Sequence, residues 1–353
     1  MLTLRLQNPS PLPASGRLRE LDELKGWAML LVILYHVRGV FDWPNWIHGE
    51  TGVDVFLLVS GFTLIRSSRD LSPGAFFRRR LLRIYPPYWI ALAAFTFLHD
   101  RLFSLISRDN LAWHVIGLHA LTPNQSFFSS INDSFWFISL ILLAYVAFIL
   151  IRRRLADAAW VLGVGLILTA VVTSYYAYLS HSGGLAHVAG RILSFFVGLL
   201  IGQIASSPVT EFRLSPTFIL GMFAITYIGW QYGFFPFGLV SGPAAVLAFF
   251  VLRRSLLRHP DGRFALAGLG LVGVYSYEIF LFHQPLIRDY NRWIWAHWFC
   301  QLSAKPWQLG VGIVVMLVVT GVVSVAVHHC CNLLFGRVRR AAPSTVPHDP
   351  AVA

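Results

Sequence analysis

Five ionisable side chains interrupt long apolar stretches of this chain: His36, Asp54, Arg191, Glu278 and His283. An ionisable group is costly in an apolar segment, and it generally faces a cavity or a partner there. Histidine titrates close to neutral pH, so it suits proton transfer as a general base. A carboxylate can share that work, although a neutral histidine that only hydrogen-bonds a neighbouring helix explains His36 alone equally well. The residue types therefore indicate acid–base chemistry inside an apolar domain.

A second feature is a run of arginines, Arg78-Arg79-Arg80, followed by Arg83. Arg80 and Arg83 are three residues apart, so they share one face of a helix. Planar guanidinium groups fit phosphate oxygens well. The competing interpretation is a plain positive anchor on the cytoplasmic side of a membrane helix.

The composition identifies the setting of these residues. Of 353 residues, 56% are hydrophobic and 12% are charged, whereas soluble domains carry about 25% charged residues. This composition excludes a cytosolic enzyme. It also excludes a nucleic-acid binder whose net charge of +12 would lie on a solvated face. The three cysteines fit neither a disulfide framework nor a zinc spacing, and no metal site is predicted.

The hydrophobic pattern predicts an all-α polytopic membrane protein with about ten transmembrane helices. Residues 1–19 and 341–353 are predicted to be flexible tails, and residues 20–340 to form one transmembrane domain. Gly198 and Gly202 form a small-xxx-small pair that favours close helix packing. The predicted spans are 24–41, 51–65, 85–99, 133–151, 158–180, 187–205, 215–232, 237–252, 264–287 and 308–335.

Orientation follows from the basic residues. If the N-terminus is cytoplasmic, 21 of the 28 lysines and arginines lie in cytoplasmic segments. An even number of spans then predicts that both termini are cytoplasmic and that the stretch 100–132 lies outside, with 111–121 interfacial or re-entrant. The lipid bilayer is therefore a predicted partner. The expected location is the bacterial cytoplasmic (inner) membrane.

Four stretches together resemble the acyltransferase 3 family of integral-membrane acyltransferases, in its stand-alone form. The resemblance covers almost the whole chain. Its first two stretches are Glu20-Leu21-Asp22-Glu23-Leu24-Lys25-Gly26-Trp27 with Tyr35-His36, and Gly52-Val53-Asp54-Val55-Phe56 with Val59-Ser60-Gly61-Phe62. The other two are Phe76-Phe77-Arg78-Arg79-Arg80-Leu81-Leu82-Arg83-Ile84-Tyr85-Pro86, and Tyr275-Ser276-Tyr277 with Phe282-His283-Gln284-Pro285. Many members carry a glutamate in the fourth span. This chain has Trp136-Phe137-Ile138-Ser139-Leu140 there, without an acid.

The resemblance implies transfer of an acyl group, with acetyl expected, from acyl-CoA to a hydroxyl of an envelope sugar, glycolipid or similar acceptor. Following the resemblance, we predict three catalytic residues, His36, Asp54 and Glu278. His36 is the predicted general base. The donor is predicted to bind at Lys25, Arg78, Arg79, Arg80 and Arg83. The acceptor is predicted to bind at Ser60, Trp136, Arg191 and His283. An acyl-His36 intermediate stays open, as does the formation of a homo-oligomer.

Two other function classes fit parts of the pattern. A proton-coupled transporter also needs many spans and intramembrane His, Asp and Glu residues. A sugar-binding membrane protein that has lost catalysis would explain the missing fourth-span glutamate.

Overall fold

The computed structural model describes residues 18–43, 51–68, 71–102, 107–122, 124, 127, 130–155, 158–180, 191–205, 238–298 and 305–340. Within these ranges the chain is helical and contains no strand, which confirms the all-α prediction. The predicted tails, apart from a few residues, and the predicted span 215–232 lie outside the described residues. The chain divides into two compact units, which are Met1–Ser67 with Leu150–Ser276, and Ser68–Ile149 with Tyr277–Ala353.

Twelve α-helices are described, joined in places by short 3-10 or π-helical turns. They are α1 (Arg19–Val40), α2 (Thr51–Ser68), α3 (Pro73–Leu102), α4 (Arg108–Val115), α5 (Trp136–Ile151), α6 (Ala158–Ser180), α7 (Ile192–Ala205), α8 (Gly238–Leu256), α9 (Gly262–Val274), α10 (Ser276–Pro285), α11 (Asn291–Trp298) and α12 (Pro306–Arg340). The short turns are His119–Leu121, Asp133–Phe135, Arg152–Arg154 and the π-helical Leu286–Tyr290.

Three of the described helical segments are long and apolar enough to cross a membrane: Pro73–Leu98, Asp133–Arg154 and Pro306–Gly336. A fourth qualifies only if the broken pair Gly262–Val274 and Ser276–Trp295 is counted as one span. The chain is therefore a membrane protein with several apolar helices, and the count of ten spans stays a prediction.

Two of the predicted spans differ from the observed helices. The span 264–287 is interrupted at Tyr275, where the Ser276 hydroxyl donates to the Gly273 carbonyl at 2.9 Å. The span 85–99 belongs to a helix that begins at Pro73 and continues through Pro86 and Pro87. The arginine cluster consequently lies inside α3 rather than before it.

In the first unit, helices approach closely wherever a glycine faces a neighbouring backbone. A Cβ at Gly26 of α1 would overlap the Leu269 carbonyl, and one at Gly273 of α9 would overlap the Asp22 carbonyl. The pairing of 26 with 269 and of 22 with 273 shows that α1 and α9 run antiparallel. Leu24, Ala28, Val55, Val59, Ala245 and Phe249 form an apolar core of α1, α2 and α8.

The contact between α2 and α7 also depends on glycine. A Cβ at Gly198 would overlap the Leu58 carbonyl, and one at Gly61 would overlap the Phe195 carbonyl. Gly202 lies one turn further on, against Phe62. The close packing predicted for Gly198 and Gly202 is confirmed.

In the second unit, aromatic side chains fill the core between α3, α5 and α10. The Phe135 ring lies against Tyr88 and Phe95, with centroids 5.1 and 6.3 Å apart. Phe95 in turn lies 5.7 Å from Phe282 and 6.1 Å from Tyr290. The Tyr277 hydroxyl donates to the Ile84 carbonyl at 2.9 Å. Because low-numbered residues of α10 meet low-numbered residues of α3, the two helices run in the same direction.

Candidate active site

Helix α1 carries the proposed base and the proposed donor-binding lysine on one face. Lys25 and His36 are eleven residues apart, which in an α-helix means about 16 Å along the axis and nearly the same angular position. His36 is half-buried and makes an edge-to-face contact with the Tyr35 ring at 5.2 Å. Lys25 pairs with Asp22 at 2.6 Å. The two side chains therefore lie on one face of α1, about three turns apart.

Asp54 and Arg191 form an ion pair in the interior of the first unit. Arg191 Nη1 lies 2.6 Å from Asp54 Oδ2, and the Ser194 hydroxyl donates to Asp54 Oδ1 at 3.2 Å. Asp54 and Ser194 are 0% exposed and Arg191 is 3% exposed. Two predicted site residues, one assigned to catalysis and one to acceptor binding, are therefore brought together as a charge-neutral pair.

The arginines of α3 occupy two different environments. Arg80 is buried, its Nη2 donates to the Ser68 hydroxyl at 2.7 Å, and its guanidinium lies 5.8 and 5.9 Å from the rings of Phe76 and Tyr145. Arg83 is exposed. The two side chains share a helix but not an environment, so Arg83 is the better placed to meet an anion from solvent. The neighbouring Arg78 is exposed and Arg79 half-buried.

Glu278 of α10 has a partner that the sequence did not indicate. His328 Nδ1 on α12 lies 2.9 Å from Glu278 Oε1, with Glu278 buried and His328 about one quarter exposed. The two residues are fifty positions apart, and no local spacing rule connects them. His328 is nevertheless an ionisable residue within a long apolar run, and such a residue indicates a polar partner nearby. Glu278 is thus part of a carboxylate–imidazole pair in the second unit.

The remaining predicted acceptor residues lie separately. Ser60 is half-buried on α2, where its carbonyl accepts from the Thr63 hydroxyl at 3.0 Å. Trp136 is half-buried at the first position of α5. His283 is buried on α10, with Nδ1 2.9 Å from the Phe280 carbonyl. His36, Lys25, Asp54, Ser60 and Arg191 belong to the first unit, and the other predicted site residues belong to the second.

A short segment after α3 folds back onto the middle of that helix. Tyr88 donates to the His114 carbonyl at 2.6 Å, Trp89 to the Val115 carbonyl at 2.9 Å, and Tyr85 to the Ile116 carbonyl at 2.6 Å. These donors lie near the midpoint of the 30-residue α3. The prediction that 111–121 is interfacial or re-entrant is consistent with this return.

Two buried histidines stack within that segment. The rings of His114 and His119 are 3.8 Å apart and inclined by only 12°. Burial lowers the pKa of His114 to about 4, although its hydrogen bond with the Asn110 carbonyl opposes the shift. Burial, and then the nearby His114, lower the pKa of His119 to about 2. Both rings are consequently neutral at neutral pH.

The described residues contain no cluster of three or more His, Cys, Asp and Glu side chains that could hold a metal ion.

Comparison with known proteins decides the family. A family model described as an acyltransferase domain, acyltransferase 3, matches residues 18–328. The chain belongs to the acyltransferase 3 family. That match covers every predicted site residue, and it confirms the resemblance drawn from the four motifs.

Two curated relatives are consistent with this assignment. A protein of Komagataeibacter xylinus named "Putative membrane-bound transacylase BcsY" is 24% identical over 326 residues, covering 79% of this chain and 78% of the relative. The "Exopolysaccharide production protein ExoZ" of Rhizobium meliloti (strain 1021) is 28% identical over 250 residues, covering 67% of this chain and 75% of the relative. No solved structure matches the chain significantly. The protein is therefore a membrane acyltransferase.

Proposed function

We propose that the protein transfers an acyl group, with acetyl expected, from acyl-CoA to a hydroxyl of an envelope polysaccharide, glycolipid or similar sugar acceptor in the bacterial cytoplasmic membrane. The observation that carries the proposal is the family match over residues 18–328. The name of one relative refers to exopolysaccharide production, which supports a carbohydrate acceptor.

The proposed reaction uses His36 as the general base. The acceptor hydroxyl attacks the thioester carbonyl while His36 takes its proton. A C–O bond forms, the C–S bond breaks, and the proton on His36 passes to the departing thiolate to give free CoA. General-base catalysis typically contributes ~10²–10⁴ in rate. The half-buried position of His36 supports this role, because the imidazole is both shielded from bulk water and reachable.

Two separate sets of basic groups are candidates for donor binding, the arginines of α3 and Lys25 of α1. Arg83, with Arg78 and Arg79, would hold the CoA phosphates by charge-assisted hydrogen bonds. Lys25 would bind the donor at the end of α1 where Lys25 itself pairs with Asp22 and Arg253 pairs with Glu23. The buried Arg80 would act mainly by fixing the start of α3, because Ser68 and two aromatic rings already surround its guanidinium.

Asp54 and Glu278 take supporting roles in this proposal. The Asp54–Arg191 pair would orient α2 and α7 around the site. The Glu278–His328 pair would supply the carboxylate that the fourth span lacks.

The experiment is a release assay on purified protein in nanodiscs. Acetyl-CoA is supplied with a soluble polysaccharide acceptor, and free CoA thiol is followed together with acetyl ester on the sugar. The proposal expects thiol and ester to appear in equal amounts and only when both substrates are present. A transporter, or a sugar-binding protein without catalysis, would produce neither, and that result would overturn the proposal.

A further inference from the structure

A polar cluster in the second unit joins the turn before α5 to the end of α10. Asp133 Oδ2 accepts from Arg288 Nη1 at 2.8 Å and from Gln284 Nε2 at 3.3 Å. Arg288 Nε also donates to Asp289 Oδ1 at 2.8 Å. The Asp133 side chain is 28% exposed and that of Arg288 is 41% exposed. The cluster is therefore open to a ligand on one side.

Its inner side holds polar atoms without a described partner. Gln284 is 0% exposed, and its Oε1 has no hydrogen-bond partner among the described residues. Ser134 is 3% exposed, and no described residue bonds its hydroxyl. Buried polar atoms are almost always paired, so the unsatisfied oxygen of Gln284, whose Nε2 bonds the Asp133 carboxylate, needs an explanation. If these buried side chains only filled space, apolar side chains would fill it equally well.

The backbone around the cluster is specialised. Asn132 caps the turn by accepting from the Ser134 amide at 2.8 Å, which fixes the direction of the Asp133–Phe135 turn. On the other side, Pro285 is followed by the π-helical turn Leu286–Tyr290. π-Helical turns are rare and are frequent at functional sites. Here the turn sets the register that brings Arg288 to Asp133.

The cluster lies away from the arginines of α3. Tyr277 contacts Ile84, next to Arg83, whereas Phe282 and Tyr290 contact Phe95. Arg83 and Phe95 are twelve residues apart, or about 18 Å along α3. A donor held at Arg83 and a ligand held at Asp133 would thus approach the second unit from opposite ends.

We propose that Asp133, Gln284 and Arg288 bind the hydroxyl groups of the sugar acceptor, an assignment that rests on the proposed function. Asp133 Oδ1 and Gln284 Oε1 would accept from neighbouring sugar hydroxyls, and Arg288 would donate to a sugar oxygen. A carboxylate, an amide oxygen and a guanidinium match a polyol, because each hydroxyl both donates and accepts. Trp136, half-buried three residues after Asp133, could cover an apolar face of the ring.

The test is a thermal-shift titration of protein in nanodiscs with octyl β-D-glucoside, octyl β-D-galactoside and octyl α-D-mannoside. Octyl tetraethylene glycol ether, which has the same alkyl chain without a sugar, is the reference. We expect at least one glycoside to stabilise the protein more than the ether does. Gln284→Met should raise the apparent Kd of that glycoside about tenfold or more, and should raise the acceptor KM more than it lowers kcat.

Two comparisons separate recognition from a structural role. Gln284→Met keeps the side-chain size and removes both the Oε1 atom and the 3.3 Å bond from Nε2 to Asp133, so the melting temperature without sugar should fall less than in a variant that loses a shorter bond. Gln308→Met is the matched control, since Gln308 is also buried but its Oε1 accepts from the Lys305 amide at 2.7 Å. It should lower the melting temperature and leave the glycoside Kd within about twofold.

Three outcomes would overturn the acceptor site. They are no glycoside exceeding the ether, an unchanged Kd in Gln284→Met, and a Kd that changes equally in Gln308→Met. Acetyl-CoA-dependent transfer, measured on the same samples, keeps the two proposals distinguishable. Transfer with an unchanged Gln284→Met Kd removes only the acceptor site, whereas glycoside binding at Gln284 without any transfer removes only the proposed reaction.

Discussion

The carboxylate of Asp54 on α2 and the guanidinium of Arg191 at the start of α7 form an ion pair, with 2.6 Å between Oδ2 and Nη1 and almost no exposure of either side chain. A Cβ at Gly242 of α8 would come within 3.2 Å of the Asp54 side chain. Three helices of the first unit therefore meet at this pair.

Removing one member of that pair should destabilise the protein strongly. Asp54→Ala removes the carboxylate that pairs with the buried Arg191, and breaking a buried ion pair in this way typically costs about 3–5 kcal/mol. The double variant Asp54→Leu with Arg191→Met removes both charges and should recover most of the loss. Thermal unfolding in detergent measures both. Equal loss in the single and double variants would contradict a structural pair, and full activity of a stable double variant would remove Asp54 from the catalytic residues.

The glycine contact between α2 and α7 predicts a second stability difference. Gly198→Ala forces a methyl group against the Leu58 carbonyl, and overpacking of this kind costs about 1–3 kcal/mol. Gly163→Ala on α6 is the control, since nothing lies within 4 Å of its added Cβ. Alanine there should be neutral or stabilising by up to about 1 kcal/mol. Similar unfolding temperatures for the two variants would contradict the close approach.

The two environments of the arginines on α3 predict different defects. Arg83→Gln should raise the Kd for acetyl-CoA about tenfold through loss of a charge-assisted hydrogen bond, with little change in melting temperature. Arg80→Gln should instead lower the melting temperature, because it loses the bond to Ser68 and the contacts with two rings. Direct binding of acetyl-CoA and thermal unfolding distinguish them. An unchanged Kd in Arg83→Gln would leave this residue a topological anchor.

The stacked histidines predict a loss of local stability in acid. The pKa values of His114 and His119 are about 4 and about 2, below the ordinary value of 6.5, so the unfolded segment binds more protons as the pH falls. Stability is therefore complete above pH 6.5 and declines below it, by at most about 1.4 kcal/mol per pH unit for each histidine. The decline from both continues to about pH 4, and from His119 to about pH 2.

Hydrogen exchange of residues 107–122, corrected for intrinsic rates, measures this decline between pH 7 and pH 5. The variant His114→Gln with His119→Gln should show a flatter pH dependence than the wild type. An identical slope would show that other groups cause the acid sensitivity.

The sequence predicted the helical class and the family because both depend on local patterns. Apolar runs predicted helices at α1, α2, α5, α6 and α12, and the motifs at His36 and Arg83 carried the resemblance. The break at Tyr275 was missed since an apolar run does not show where a helix bends. The predicted span begins at residue 85 because only the apolar run defines it, whereas α3 continues through the arginines back to Pro73.

Pairings between distant residues were not predictable in the same way. Asp54 and Arg191 are 137 positions apart, and Glu278 and His328 are fifty positions apart. A single sequence marks each as a costly polar residue but does not show which partner neutralises it. The cluster at Asp133 was not predictable for another reason, because its polar residues lie at or near helix ends, where such residues are common.

Acetyl-ester formation by His36→Ala in nanodiscs, with acetyl-CoA and a polysaccharide acceptor, tests whether His36 is the general base. We expect the rate to fall by ~10²–10⁴ relative to wild type, while the melting temperature and the Kd for acetyl-CoA stay close to their wild-type values. His329→Ala, which removes an exposed histidine of α12, should retain the wild-type rate. A folded His36→Ala protein that forms ester at nearly the wild-type rate would contradict the role of His36 as the general base.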